Sequence, residues 1–225
     1  MIFLRWGRLA AVGVGLLGPA CGGGGGGAGM GPCTPGAATQ LVKTAGDAQP
    51  WYFNNPLPSP LSVTARDASN CPVPGVVVNW AVASGGGGIS PAQSTSGASG
   101  VASTADSLGS TSSQTVTATF TGLAAPVTFT ASASAPPTSA AVTVNNNFFS
   151  PNAVVMQTGS TVTWTWNSGT VTHDVAYDGG PTPLPASSAP QSGTATHSNT
   201  IMAVGRYTYH CNFHGSMSGT ITVVH

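Results

Sequence analysis

Four side chains near the end of this 225-residue chain could hold a soft metal. In YTYHCNFHGSM (207–217) the thiol of Cys211 is followed at even spacing by the imidazole of His214 and the thioether of Met217. A second imidazole, His173, stands upstream in VTHDV (171–175). Alternate residues of a strand share a face, so Tyr207, Tyr209 and Cys211 point one way and His210 the other. Gly215 and Ser216 are expected to open the turn that ends this strand, and such a turn can gather Cys211, His214 and Met217 around one point. His173, expected on an earlier strand with Val175 on its face, can turn toward the same core. Structural zinc sites seldom use Met. Two imidazoles, a thiolate and a weak thioether suit copper cycling between Cu(I) and Cu(II). Taken singly, His173 reads as a satisfied histidine, Cys211 as a small buried hydrophobe and Met217 as core filler. Their joint occurrence speaks against all three.

Such a set needs a rigid frame, and the composition supplies a β one. Hydrophobic residues make up 40% of the chain and charged residues only 4%, so a core is affordable while Ser, Thr, Ala and Gly fill the surface. Apolar residues alternate at Leu61/Val63/Ala65, Val76/Val78/Trp80/Val82, Val116/Ala118/Phe120 and Val127/Phe129/Ala131. They alternate again at Val142/Val144, Val162/Trp164/Trp166, His173/Val175/Tyr177, Tyr207/Tyr209/Cys211 and Ile221/Val223. Gly, Pro, Asn and Ser turns separate these runs, and no segment has useful helical periodicity. The expected fold is all-β, with two β-sandwich domains.

Pro136 and Pro137 mark the boundary between them, giving a first domain over 37–135 and a second over 137–225. A Pro/Ser/Gly loop is expected over 178–199. Residues 1–20 carry an export pattern: Arg5 and Arg8, then an apolar stretch from Leu9 to Ala20 that is short for a membrane span. Cys21 and six glycines follow, inside a Gly/Pro-rich linker over 21–36. This junction resembles a bacterial lipoprotein signal, which would make Cys21 the lipidated residue and the glycines a flexible tether. Gly18 stands where that family usually has Leu, so an ordinary cleaved signal stays open beside it. The chain is expected outside the cytoplasm, in a periplasm or at a cell surface, with membrane contact through a lipid anchor alone. Without residues 1–20 the charges are Lys43, Arg66 and Arg206 against Asp47, Asp67, Asp106, Asp174 and Asp178. There is no basic patch, which argues against nucleic acid. If a strand beginning near residue 37 runs antiparallel to 61–67, Cys33 and Cys71 meet and can form a disulfide. Cys211 is then left over, and a metal would explain an odd thiol in an exported protein.

Two resemblances sharpen this reading. SPLSVTARDASNCPVPGVVVNWAVASGGG (59–87), SGASGVASTADSLG (96–109) and QTVTATFTGLAAPVTFTASA (114–133) resemble bacterial Ig-like domains of the invasin/intimin type, which implies a spacer or adhesive stalk. Cys71 departs from that pattern, where the turn usually has a small or polar residue. NNNFFSPNAVVMQTGSTVTWTWNSGTVTHDV (145–175) and GRYTYHCNFHGSMSGTITV (205–223) resemble the cupredoxins of the plastocyanin/amicyanin group. The short Cys-x-x-His-x-x-Met loop is most similar to amicyanin. The resemblance implies a Greek-key sandwich with one type 1 copper, His173, Cys211 and His214 equatorial and Met217 axial. Asp174 departs from the Asn usual after the first histidine, where it helps tie the two ligand loops. The implied function is one-electron transfer, not catalysis, with a redox partner docking near Phe213 and His214. His210, beside the cysteine, would serve a second copper only with further histidines. His197 and His225 read as solvated. Copper storage or delivery, and a structural or adhesive surface role, are the competing functions.

Overall fold

The computed structural model describes residues 33–225. The expected signal segment, the glycine run and Cys21 lie outside the described residues. Among the described residues the chain is all strand and turn, with no helix.

The first sandwich contains β1 (Gln40–Ala45), β2 (Gln49–Tyr52), β3 (Leu61–Arg66), β4 (Val77–Ser84), β5 (Gly88–Ser90), β6 (Gln93–Thr95), β7 (Val101–Ser107), β8 (Ser113–Thr119) and β9 (Val127–Ser134). They form two sheets, in the orders β1-β3-β7-β5 and β2-β9-β8-β4-β6. Leu61, Val63, Val78, Trp80, Val116 and Phe129 fill the space between them. β1 runs antiparallel to β3 with Gln40 opposite Arg66, so the chain entering β1 meets the turn leaving β3. Asp67 fastens that meeting: its carboxylate accepts the backbone N–H groups of Gly36 (2.8 Å), Ser69 (2.8 Å) and Cys71 (2.9 Å). These donors, Gly36 foremost, hold the Asp67 carboxyl below its ordinary pKa. Cys33 and Cys71 are both disulfide-bonded, as the expected antiparallel start allowed, while Cys211 is a free, buried thiol.

The second sandwich contains β10 (Ser139–Asn145), β11 (Phe148–Ser150), β12 (Ala153–Gln157), β13 (Ser160–Trp166), β14 (Ala176–Gly179), β15 (Thr196–Ile201), β16 (Gly205–Cys211) and β17 (His214–Val224). Its sheets run β11-β10-β13-β15 and β12-β17-β16-β14. No sheet takes strands from both sandwiches. Trp164, Trp166, Tyr207, Tyr209, Met156 and Ile221 make the core, and Cys211 and Met217 belong to the same cluster. The alternation of Trp164 and Trp166 on β13, and of Tyr207, Tyr209 and Cys211 on β16, aims these side chains inward from facing sheets.

Three local expectations need correction. His173 is not on a strand. It sits before β14 and pairs as an isolated bridge with Gln191, so the polar segment supplies its partner. That segment is shorter than 178–199, because Thr196–Ile201 pairs antiparallel with β13 as β15. The hairpin after Cys211 turns at Asn212 and Phe213, not at Gly215 and Ser216. Pairing then jumps from Cys211 opposite His214 to His210 opposite Ser218. Gly215, Ser216 and Met217 are therefore an outward excursion of β17 that returns with Met217 buried. The Gly-Ser signal was a bulge signal.

A buried acid marks the first sandwich. Gln114 on β8 donates from Nε2 to Asp106 Oδ1 on β7 (2.6 Å), and its Oε1 accepts the Gly109 N–H (3.0 Å). Gly87 passes over this pair at φ +79°, where a Cβ would lie 2.1 Å from the Ser107 carbonyl oxygen and 2.7 Å from Gln114 Oε1. Gly87→Ala is therefore expected to lose about 2–4 kcal/mol, the left-handed backbone cost adding to overpacking. Burial pushes the Asp106 carboxyl above its ordinary pKa. A raised folded pKa means the fold favours the neutral acid, so that contribution is full below the unfolded value and is lost as pH rises through the folded one. In urea unfolding, Asp106→Asn should match the parent near about pH 3 and exceed it near about pH 7. Equal stability at both would mean the carboxylate is solvated.

Candidate metal centre

The centre lies where the segment after β13 meets the β16–β17 hairpin. His173 is pinned by its backbone: its N–H donates to the Gln191 carbonyl and its carbonyl accepts the Gln191 N–H, both at 2.8 Å. The same carbonyl accepts Trp166 Nε1 at 3.3 Å. The ring is 0% exposed. Cys211 arrives on the inward face of β16, and the two-residue turn sets His214 opposite it. Asn212 and Phe213 keep negative φ in this turn. Such turns do not match the twist of a hairpin, and the neighbouring register shift absorbs the mismatch.

The three donors converge. Cys211 Sγ lies 3.7 Å from His173 Nδ1 and 3.6 Å from His214 Nδ1. The ligand atoms of all three residues lie within 4.8 Å of one another, and the two imidazole rings are 4.5 Å apart between centroids. A trigonal ion with metal–sulfur bonds of about 2.3 Å and metal–nitrogen bonds of about 2.0 Å would hold sulfur and nitrogen roughly 3.7 Å apart. The residues therefore fit a three-coordinate ion with little movement. Met217 is buried in the same core cluster as Cys211 and offers the thioether.

The orientation of His173 adds to this. With Nδ1 turned to the sulfur, its Nε2 is buried with no protein partner. An unsatisfied buried N–H costs about 1–3 kcal/mol. A metal bond at Nδ1 is what would offset it. Burial also lowers the His173 pKa, His214 lowers it further, and Asp174 opposes both. The neutral imidazole that a metal requires is thus the favoured form.

Asp174 joins the two halves of the site. Its Oδ1 accepts the Asn212 backbone N–H (2.8 Å) and its Oδ2 accepts the Asn212 side-chain amide (2.7 Å). The segment carrying His173 is thereby fastened to the turn between Cys211 and His214. Asn212 is the functional residue that the sequence reading missed. Its place directly after Cys211 becomes meaningful only once the fold sets it against Asp174, directly after His173. His210 points away from the centre, toward Asp178. His197 is not simply solvated: it is half-buried on β15, 5.8 Å from the Trp164 ring, with Nε2 3.1 Å from the Ala186 carbonyl oxygen. His225 is exposed at the chain end.

No protein-family model and no curated protein matches this chain. Solved structures that it is similar to are cupredoxins. A purple cupredoxin from Nitrosopumilus maritimus is 27% identical, over 38% of this chain and 99% of that one, with a TM-score of 0.34. A reduced amicyanin mutant is 25% identical, over 38% and 82%, with a TM-score of 0.34. A mutant plastocyanin of fern is 25% identical, over 38% and 100%, with a TM-score of 0.33. These scores are low, and the function proposed below rests on the donors of this chain.

Asp174→Ala removes both acceptors from Asn212 and should lower the stability of the metal-free protein by about 1.5–3 kcal/mol, the usual worth of hydrogen bonds to a charged group. Asp174→Asn keeps an acceptor for the Asn212 N–H and should lose less. Equal losses in chemical unfolding would show that the carboxylate adds nothing to the tie.

Proposed function

We propose that the second sandwich is a mononuclear copper centre for one-electron transfer, with His173, Cys211 and His214 as the strong ligands and Met217 as the weak axial one. The observation that carries this reading is the convergence of two imidazole Nδ1 atoms on one free, buried thiol at 3.6–3.7 Å. Copper held there would supply a Cu(I)/Cu(II) couple, soft sulfur favouring the reduced ion and imidazole serving both. The chain's part is to keep the donors still. The backbone bridge holds His173, the hairpin register holds His214 opposite Cys211, and Asp174 joins the two. A site that does not rearrange between oxidation states suits a carrier better than a catalyst.

Electrons would enter and leave at His214, the half-exposed ligand, beside Phe213, which is 51% exposed. A redox protein docking on this apolar edge would be guided little by charge, so its binding would depend weakly on salt. The first sandwich would act as an Ig-like spacer. Export to a periplasm or cell surface would let the disulfide of Cys33 and Cys71 persist. A lipid anchor at Cys21 would complete a tethered carrier.

Adding Cu(II) to the full chain should give a strong visible thiolate-to-copper band and the narrow EPR copper hyperfine splitting of a covalent Cu–S bond. Cys211→Ser should abolish both. A pale protein with ordinary tetragonal Cu(II) signals would refute the site. Fast copper exchange with a sluggish couple would turn the reading to copper storage or delivery. In the loaded protein, Asp174→Asn should raise the reduction potential by on the order of tens of millivolts, since a nearby negative charge favours the more positive ion. An unchanged potential in redox titration would mean that charge is not felt at the centre.

A further inference from the structure

Outside the centre, on the solvent face of β16, a polar chain runs up to Asn212. It begins at Asp178 on β14. The pairing of β14 with β16 slips between Tyr177 and Gly179, which leaves Asp178 in a bulge. The bulge aims the Asp178 carboxylate between Thr208 and His210, two outward residues of β16: Oδ1 accepts the Thr208 hydroxyl, and Oδ2 lies 2.9 Å from His210 Nδ1. Gly179 makes the close approach feasible, since a Cβ there would lie 2.6 Å from Thr208 Oγ1. The other ring nitrogen, His210 Nε2, lies 3.2 Å from Asn212 Oδ1; both neighbours of the ring are acceptors, so the two contacts are hydrogen bonds together when each ring nitrogen carries a proton, beside the Asp178 carboxylate.

The orientation of the Asn212 amide follows from its partners. Its Nδ2 must face the Asp174 carboxylate, because only a donor can bond there, so its Oδ1 must face His210. The amide is thus held from both sides. One side is the buried Asp174, which belongs to the His173 segment. The other is a histidine whose ring is itself held by a carboxylate presented on a bulge.

We propose that Asp178 and His210 form a brace that positions Asn212, and through Asn212 fixes the Cys211–His214 turn against the His173 segment. His210 is then a positioning residue of the centre, neither a metal ligand nor a member of a second metal site. The brace deepens the copper reading, but its first test does not depend on that reading. It works in the metal-free protein by shortening the excursions of the turn, so that the donors already converge when an ion arrives.

The test uses the full chain with His210→Phe, Asp178→Ala, the double variant, and His210→Gln, which restores an N–H donor toward Asn212 Oδ1. The first readout is backbone amide exchange of Asn212 relative to core Val144 in the metal-free protein. The ratio separates loss of the brace from general loss of stability. His210→Phe and Asp178→Ala should each raise it by about 3–10-fold, the worth of one hydrogen bond. The double variant should exceed His210→Phe by little, because Asp178 acts through His210. His210→Gln should fall between parent and His210→Phe. An unchanged ratio, or effects that simply multiply in the double variant, would overturn the brace. The second readout is the EPR hyperfine splitting of the copper-loaded variants, which should broaden with His210→Phe and recover with His210→Gln. If the parent gives no blue centre while the exchange ratios behave as stated, the copper reading fails and the brace stands. A blue parent with unchanged exchange ratios gives the reverse.

Discussion

The two-residue turn that sets Cys211 opposite His214 is the constraint around which the second sandwich is arranged. A thiol at the last position of β16 and an imidazole at the first of β17 are neighbours by register alone, with no long-range packing needed to bring them together. The remaining strong donor has to come from elsewhere, and β13 delivers it. Trp164 and Trp166 anchor that strand in the core, and the Trp166 indole reaches forward to the His173 carbonyl. Met217 arrives by a different device. The excursion at Gly215 and Ser216 lets β17 fall out of step with β16 and re-enter with Met217 on the buried face.

A chain with so few charges uses its acids as joints. Asp47 receives Lys43 and the Thr130 N–H, tying β1 to β9. Asp67 collects three backbone N–H groups beside the disulfide-bonded Cys71. Asp106 bonds Gln114 across β7 and β8, Asp174 clasps Asn212, and Asp178 holds Thr208 and His210. Each of the five carboxylates joins two segments of the chain by a particular hydrogen bond, and at all but the buried Asp106 charge strengthens the bond. Solubility is left to hydroxyls, which pair across strands as Thr161 does with Thr200 and Thr163 with Ser198.

Much of this was legible from strand periodicity. The alternation that marked Trp164, Trp166, Tyr207 and Tyr209 as one inward set is the alternation of the core, because in a two-sheet sandwich one face of each strand must leave water. The antiparallel start that brought Cys33 toward Cys71 follows from the same pattern. What stayed hidden depends on pairing rather than on face. A Gly-Ser pair reads alike as a turn or a bulge, and only the partner strand decides. The polar first part of β15, 196–199, reads as loop, because an edge strand over an apolar neighbour needs little hydrophobicity of its own. Short strands such as Gln49–Tyr52 and Phe148–Ser150 are too brief for any period to show. The Asp174–Asn212 clasp lay in plain view as residue types, but nothing in the sequence aligns positions 174 and 212.

Cys211 and Met217 are core residues as much as candidate ligands, packed with Tyr209 and Ile221 in one cluster. The donors therefore inherit the rigidity of the interior, where side chains sit in close-packed, single arrangements. The same packing leaves His173 Nε2 without a protein partner, whether or not an ion sits at Nδ1. A fold that keeps two imidazoles and a thiol turned toward one another, rather than relaxing to satisfy that nitrogen, has spent stability on holding a geometry. An ion that bonds Nδ1 returns that stability through the native state alone, so metal affinity and folding free energy become two measures of one preorganised arrangement.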